Sequence, residues 1–269
     1  MKRRTTKLSY LPKHQKNRLN LRWHGWVAIS FFSVVAVMLL NSFDVVRVKT
    51  VTFPSADSLL ITADEYTVSE ERPYVVLFHE QGSSRGEFKT IARRLCKMDY
   101  NCLAVDLRNG GTFGYVSNET VKRCRDKRCP TDRESVEQDM VAAVRYAFMK
   151  SDFPVILFAS GVNASLSLKL AADSELVRAV VALSPGEYFL PAVSIHDTIS
   201  NLRKPVFITS SRSEIPYMEE LVSGMEDQYV TLFKPELGEG GRGTSSLNSE
   251  NEHNSEDWLA LLLFFKDLI

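Results

Sequence analysis

The 269-residue sequence predicts an α/β fold, a mostly parallel eight-stranded sheet held between helix layers, and three observations lead to it. Apolar runs of strand length alternate with stretches of helical periodicity from Asp44 onward. The strand runs are close to continuous in Val, Ile and Leu, the pattern of strands buried on both faces. The composition, 44% hydrophobic and 25% charged, suits a chain that buries a sizeable core.

In chain order, the strands are read at VRVKTVTF (46–53), LLITADEY (59–66), YVVLFHE (74–80), CLAVDL (102–107), PVILFAS (154–160), VRAVVALS (177–184), PVFITSS (205–211) and YVTLFK (229–234). Only PSADS separates the first two, so they are expected to pair as an antiparallel hairpin at one sheet edge. Helical periodicity marks GEFKTIARRLCKM, RESVEQDMVAAVRYAFMK, ASLSLKLAADS, EIPYMEELVSGM and SEDWLALLLFFKDLI. The polar stretch 238–257, GEGGRGTSSLNSENEHNSED, reads as a long surface loop.

Ahead of these elements the charge is uneven. Residues 1–22 carry eight Lys/Arg and no Asp/Glu, although the formal net charge of the chain is zero. Trp23 to Phe43 then contains no Asp, Glu, Lys or Arg, and a helix of that length spans about 31 Å, close to the roughly 30 Å hydrocarbon core of a bilayer. The expected organisation is a basic cytoplasmic tail (1–22), a transmembrane signal-anchor helix (23–43) lying in the bilayer, and an exported domain (44–269), oriented by the positive-inside rule. A cleaved signal peptide is the rival reading; the long basic lead and the lack of a small-x-small pair after Leu40 argue against it. The expected location is the cytoplasmic membrane, single-pass, with the domain outside. The basic cluster belongs to the tail and is explained by topology or lipid contact, so nucleic-acid binding is not expected.

All four cysteines, Cys96, Cys102, Cys124 and Cys129, fall in the exported part, where disulfides persist. Three pairings are open; the local ones, Cys96 with Cys102 and Cys124 with Cys129 around the polar loop RDKR, are the expectation. No CxxC pair or neighbouring His supports zinc, and no metal or cofactor is expected. Asn118-Glu-Thr and Asn163-Ala-Ser match the short glycosylation sequon.

The segments VVLFHEQGSSRGEFKTIARRL, CLAVDLRNGG with NET, VILFASGVNASLSLKLAA and ALSPGEYF together resemble the α/β-hydrolase fold, and within it the dienelactone hydrolase-like esterases. The resemblance covers most of residues 59–269. It implies ester hydrolysis by a nucleophile, an acid and a His in that chain order, with backbone N–H groups stabilising the oxyanion.

Carried over position by position, the resemblance puts the nucleophile of Gly-x-Ser-x-Gly on Gly161, which has no attacking atom. The acid falls on Glu214. The His falls on Arg242, whose guanidinium cannot accept a proton and so cannot be a general base. A triad reading Gly161, Glu214, Arg242 implies a pseudoenzyme. The strained elbow conformation costs on the order of 1–3 kcal/mol for a residue with a side chain, and glycine relieves it. The fallback catalytic pair is Ser160 and His253. As the last strand residue, Ser160 is expected to point away from the pocket mouth, and His253 to be solvated. His79 is expected to brace the loop after the third strand, and His196, beside Asp197, to lie on the surface.

The backbone of the pocket persists in the sequence. N–H groups of Glu80, Gln81 and Val162 are the expected oxyanion-type donors, and Arg242 would add positive charge for a carboxylate or phosphate. The expected role is binding of a small ester- or anion-like ligand, or of a protein partner, outside the membrane. An active serine-type ester hydrolase with rearranged groups is the alternative.

Overall fold

The computed structural model of the protein describes residues 46–268; the predicted tail and transmembrane segment lie outside the described residues. Among the described residues no helix is long and apolar enough to cross a membrane.

Eight strands form one sheet: β1 (Arg47–Pro54), β2 (Leu60–Thr67), β3 (Tyr74–Phe78), β4 (Asn101–Val105), β7 (Val155–Ser160), β8 (Val177–Leu183), β9 (Val206–Thr209) and β10 (Val230–Leu232). Their spatial order is β1-β2-β4-β3-β7-β8-β9-β10. A two-residue hairpin, β5 (Thr112–Phe113) and β6 (Val116–Ser117), stands apart from it. The expected edge hairpin is present, with β1 antiparallel to β2 from Arg47 opposite Thr67 to Pro54 opposite Leu60. β2 also runs antiparallel to β4, and every pairing from β4 through β10 is parallel.

Side-chain alternation divides the core in two. From β3, Val76 and Phe78 enter one apolar cluster, while Val75 and Leu77 enter the other. The first cluster is covered by α3 (Arg133–Ser151), α4 (Val162–Asp173), α5 (Ile195–Ile199) and α6 (Ile215–Val222); the second by α1 (Lys89–Cys96) and α7 (Asn254–Asp267). All five β3 side chains are buried, and each large one contributes roughly 1.5–3 kcal/mol by leaving water.

Two helices were not expected, the short α5 among them. Residues 119–127 form α2 (Glu119–Lys127), capped by Asn118, whose side chain accepts from Val121 N, and closed by Arg128 in the left-handed region at φ 53°. Most of the predicted RDKR loop is therefore the last turn of this helix. The stretch 238–257 is also not all surface: Gly243, Thr244, Ser246 and Leu247 are buried in a 3-10 turn, and α7 begins at Asn254.

The cysteine expectation is half met. Cys124 and Cys129 are bonded, with Cα atoms 5.1 Å apart, but Cys96 and Cys102 are free thiols, both buried. Cys102 Sγ instead donates to the Ala92 carbonyl. The two sequon asparagines are buried in structural roles, Asn118 as the α2 cap and Asn163 against the His79 carbonyl.

The sheet order places β3 between β4, its successor in the chain, and β7. This is where the winding direction reverses, and in open α/β sheets ligands bind in the crevice beyond the carboxyl ends of the strands at that reversal. Glu80 follows β3 there, and Gly161 follows β7.

Candidate functional site

β7 ends at Ser160, α4 starts at Val162, and Gly161 makes the turn alone at φ 59°, ψ −128°. Its N–H donates to the Leu183 carbonyl at 2.8 Å, and its own carbonyl accepts from Ala164 N at 3.0 Å. Such a φ is strained for any L side chain.

The space a side chain would take there is also occupied. A Cβ built on Gly161 would overlap Cδ and both carboxylate oxygens of Glu80. Glu80 Oε1 lies 3.4 Å from the Val162 N–H at the head of α4, and Oε2 accepts from Ser160 Oγ at 3.4 Å. The chain thus sets one of its own carboxylates at the helix N-terminus, where the dipole and the free N–H groups favour an anion.

The backbone donors expected of the oxyanion loop are largely occupied. Glu80 N donates to Glu87 Oε2 at 3.1 Å, and Val162 N faces Glu80 Oε1. Only the Gln81 N–H meets no protein acceptor among the described residues. Glu87, buried in the cleft wall, also accepts from Thr244 Oγ1 at 2.8 Å and so ties the loop after β3 to the 3-10 turn at 243–247.

His79 performs the bracing role expected of it. Its Nδ1 donates to the Glu80 carbonyl at 2.8 Å, and its Nε2 accepts from Leu107 N at 3.0 Å. That pattern requires the neutral imidazole, and complete burial lowers its pKa by opposing the charged form. Asn163 on α4 reaches the same loop, its Nδ2 donating to the His79 carbonyl at 2.6 Å while Asn109 donates to its Oδ1. Below the loop, buried Asp106 accepts from Arg85 N, the Arg85 guanidinium and Glu119 N. Burial raises its carboxyl pKa against those three donors.

Glu214 and Arg242 are brought together. Arg242 Nε lies 3.8 Å from Glu214 Oε1, and an Arg242 Nη donates to the Tyr188 hydroxyl at 3.1 Å. Glu214 Oε2 accepts from Ser184 Oγ at 3.0 Å and Ser211 Oγ at 2.9 Å, the latter within a capping box ahead of α6. Ser184 Oγ accepts in turn from Gly243 N at 3.0 Å, with Ser184 itself at φ 51°. Arg242 is more than half exposed, so its charge meets solvent as well as Glu214.

Ser160 departs from its expected direction: it lines the cleft, although only 1% exposed. Ser160 still pairs with Leu183 as the last residue of β7, so the alternation itself holds, and it was the position of the cleft that the expectation misjudged. Its Oγ faces the Glu80 carboxylate and is hemmed in by Gly243, where a Cβ would overlap it. His253 does not join it. His253 stands just ahead of α7, its ring packed on Gly238, and the ring makes no hydrogen bond among the described residues. His196 is half-buried rather than wholly on the surface, its Nδ1 directed at the Glu220 and Leu221 carbonyls, so it forms no dyad with Asp197.

The cleft is an open hollow of about 590 Å³ lined by Glu80, Gln81, Glu87, Ser160, Arg242 and Thr244 among others. Sequence reading missed the side chains of Glu80 and Glu87, together with Ser184, Tyr188 and Thr244. No local signal marked Glu80, whose place over Gly161 depends on β3 lying beside β7. Among the described residues, no three His, Cys, Asp or Glu side chains converge as a metal-ion site.

No family sequence model matches the chain, and no curated protein sequence matches it. Solved structures do. A Pyrococcus furiosus esterase superposes with a TM-score of 0.63 at 15% identity, over 81% of this chain and 92% of that one. A dienelactone hydrolase from Anabaena variabilis gives 0.61 at 16% identity, over 81% and 95%. A dienelactone hydrolase-like promiscuous phosphotriesterase from metagenomic libraries gives 0.60 at 16% identity, over 82% and 98%. The described domain therefore has the α/β-hydrolase fold of the dienelactone hydrolase-like esterases. At these identities the likeness is one of fold, and function has to be argued from the site.

Proposed function

We propose that this protein is a membrane-anchored α/β-hydrolase-fold domain that lacks hydrolytic activity and works by binding a small ester-like ligand or a protein partner outside the cytoplasmic membrane. The anchor rests on the charge-free stretch 23–43 behind a basic tail. The observation that carries the loss of chemistry is the Glu80 carboxylate over Gly161, in the volume an elbow nucleophile would need. The pairing of Arg242 with Glu214 supports the same reading, because a guanidinium beside the acid offers no proton acceptor. It also alters the ligand expected: with Glu80 seated at the head of α4 and Arg242 shared with Glu214, the elbow favours a neutral group over an anion.

A second reading has one observation in its favour. Ser160 Oγ lies 3.4 Å from a carboxylate oxygen of Glu80, so a serine with a carboxylate base and no imidazole would be a rearranged hydrolase. Against it stand the 1% exposure of Ser160 and the position of Gly243 beside its hydroxyl, where there is no room even for a Cβ.

Turnover separates the two. The full chain in detergent, given short-chain nitrophenyl esters, is expected to hydrolyse them no faster than its Ser160→Ala variant. Turnover that Ser160→Ala abolishes would establish the hydrolase.

A further inference from the structure

We infer that the protein carries a second binding site, beside the cleft and sharing only Gln81 with it, for a phosphate or phosphate-ester group, built on the disulfide-closed end of α2. The site is a hollow of about 310 Å³ lined by Arg108, Arg125, Arg128, Gln81, Asn109 and Thr131, with the Cys124–Cys129 bridge in its wall. No acidic residue lines it.

The charges there are unequal in kind. Arg108 is spent: its side chain is fully buried, Nε and one Nη grip Asp139 at 2.9 and 2.6 Å, and the other Nη meets Asp57 at 2.7 Å and the Pro130 carbonyl. Arg125 and Arg128 are exposed and form no ion pair among the described residues. The α2 C-terminus they flank offers them only about half a negative elementary charge. Two guanidiniums therefore leave a surplus of positive charge at the rim. Each presents a planar fork of N–H donors that fits phosphate oxygens in pairs.

The backbone beneath the pair is fixed before any ligand arrives. Cys129 N donates to the Cys124 carbonyl at 3.0 Å, and Arg128 N to the Arg125 carbonyl at 3.1 Å. The disulfide closes the same turn. Holding both arginines on one short cross-linked segment reduces the ordering cost of binding. Neutral donors are at hand in the Gln81 amide and the Thr131 hydroxyl.

The experiment is calorimetric titration of the full chain in detergent with inorganic phosphate, using chloride at matched ionic strength as the control, together with thermal melting. Saturable binding that raises the melting temperature is expected. Arg125→Gln and Arg128→Gln should each weaken it about tenfold, the scale of one charge-assisted interaction, while Arg242→Ala leaves it unchanged. Arg128→Gly, which suits the left-handed backbone and also removes the charge, should match Arg128→Gln. Three results would overturn the assignment: no saturable binding, unchanged binding in the Arg125/Arg128 double variant, or loss with Arg242→Ala alone, which places the anion in the cleft. Ester turnover does not bear on any of them.

Discussion

The carboxylate of Glu80 stands in the volume that any side chain at residue 161 would need, and Gly161 turns there at φ 59°. The two residues are coupled: the glycine makes room for the carboxylate, and any replacement for the glycine has to displace the carboxylate.

Gly161→Ser should therefore destabilise the domain twice over, through backbone strain and through collision, by about 2–4 kcal/mol in urea unfolding. In a Glu80→Ala background the collision disappears and the cost should fall to about 1–2 kcal/mol. Equal costs in both backgrounds would mean that Glu80 does not hold the site.

The Arg108–Asp139 pair is fully buried and bidentate. Asp139→Ala strands the guanidinium without its main partner, and about 3–5 kcal/mol of stability should be lost. Chemical unfolding of the variant measures it.

Asp257, buried near the start of α7, has its carboxyl pushed up to about 6, first by burial and then by the charge of Glu256. Folded, it holds its proton above the pH at which the unfolded chain releases it, so stability should decline as pH rises from about 3.8 to about 6 and then level off. Asp257→Asn removes that decline. Melting curves of both proteins should diverge across that window and stay a constant distance apart above it.

Thiol chemistry checks the cysteine assignment. The native protein should show almost no reactive thiol, because Cys96 and Cys102 are 3% and 0% exposed, and denaturation without reductant should reveal two. Cys124→Ser with Cys129→Ser, which opens a short loop, should cost about 2 kcal/mol.

The sheet was legible in the sequence because its strands are uninterrupted apolar runs such as YVVLF and VILFAS, bounded by turns. Helix α2 was not, because ETVKRCRDK buries only the short stripe of Thr120, Val121 and Cys124 among charged residues. Gly161, Glu214 and Arg242 were reached through the family resemblance, and the structure brings Glu214 beside Arg242. The side chain of Glu80 was not. Its place over Gly161 depends on β3 lying next to β7, a pairing between distant segments that no local pattern encodes. Cys96 and Cys102 do come side by side, each thiol within hydrogen-bonding reach of the other, yet they are not bonded: neighbouring sulfurs alone do not supply the direction that a bridge needs.

Intact mass of the full chain after incubation with a fluorophosphonate probe tests the central claim most directly. An elbow filled by Glu80 predicts an unchanged mass with no adduct on Ser160 or any other serine. A stoichiometric mass gain that maps to Ser160 and vanishes in Ser160→Ala would contradict the account.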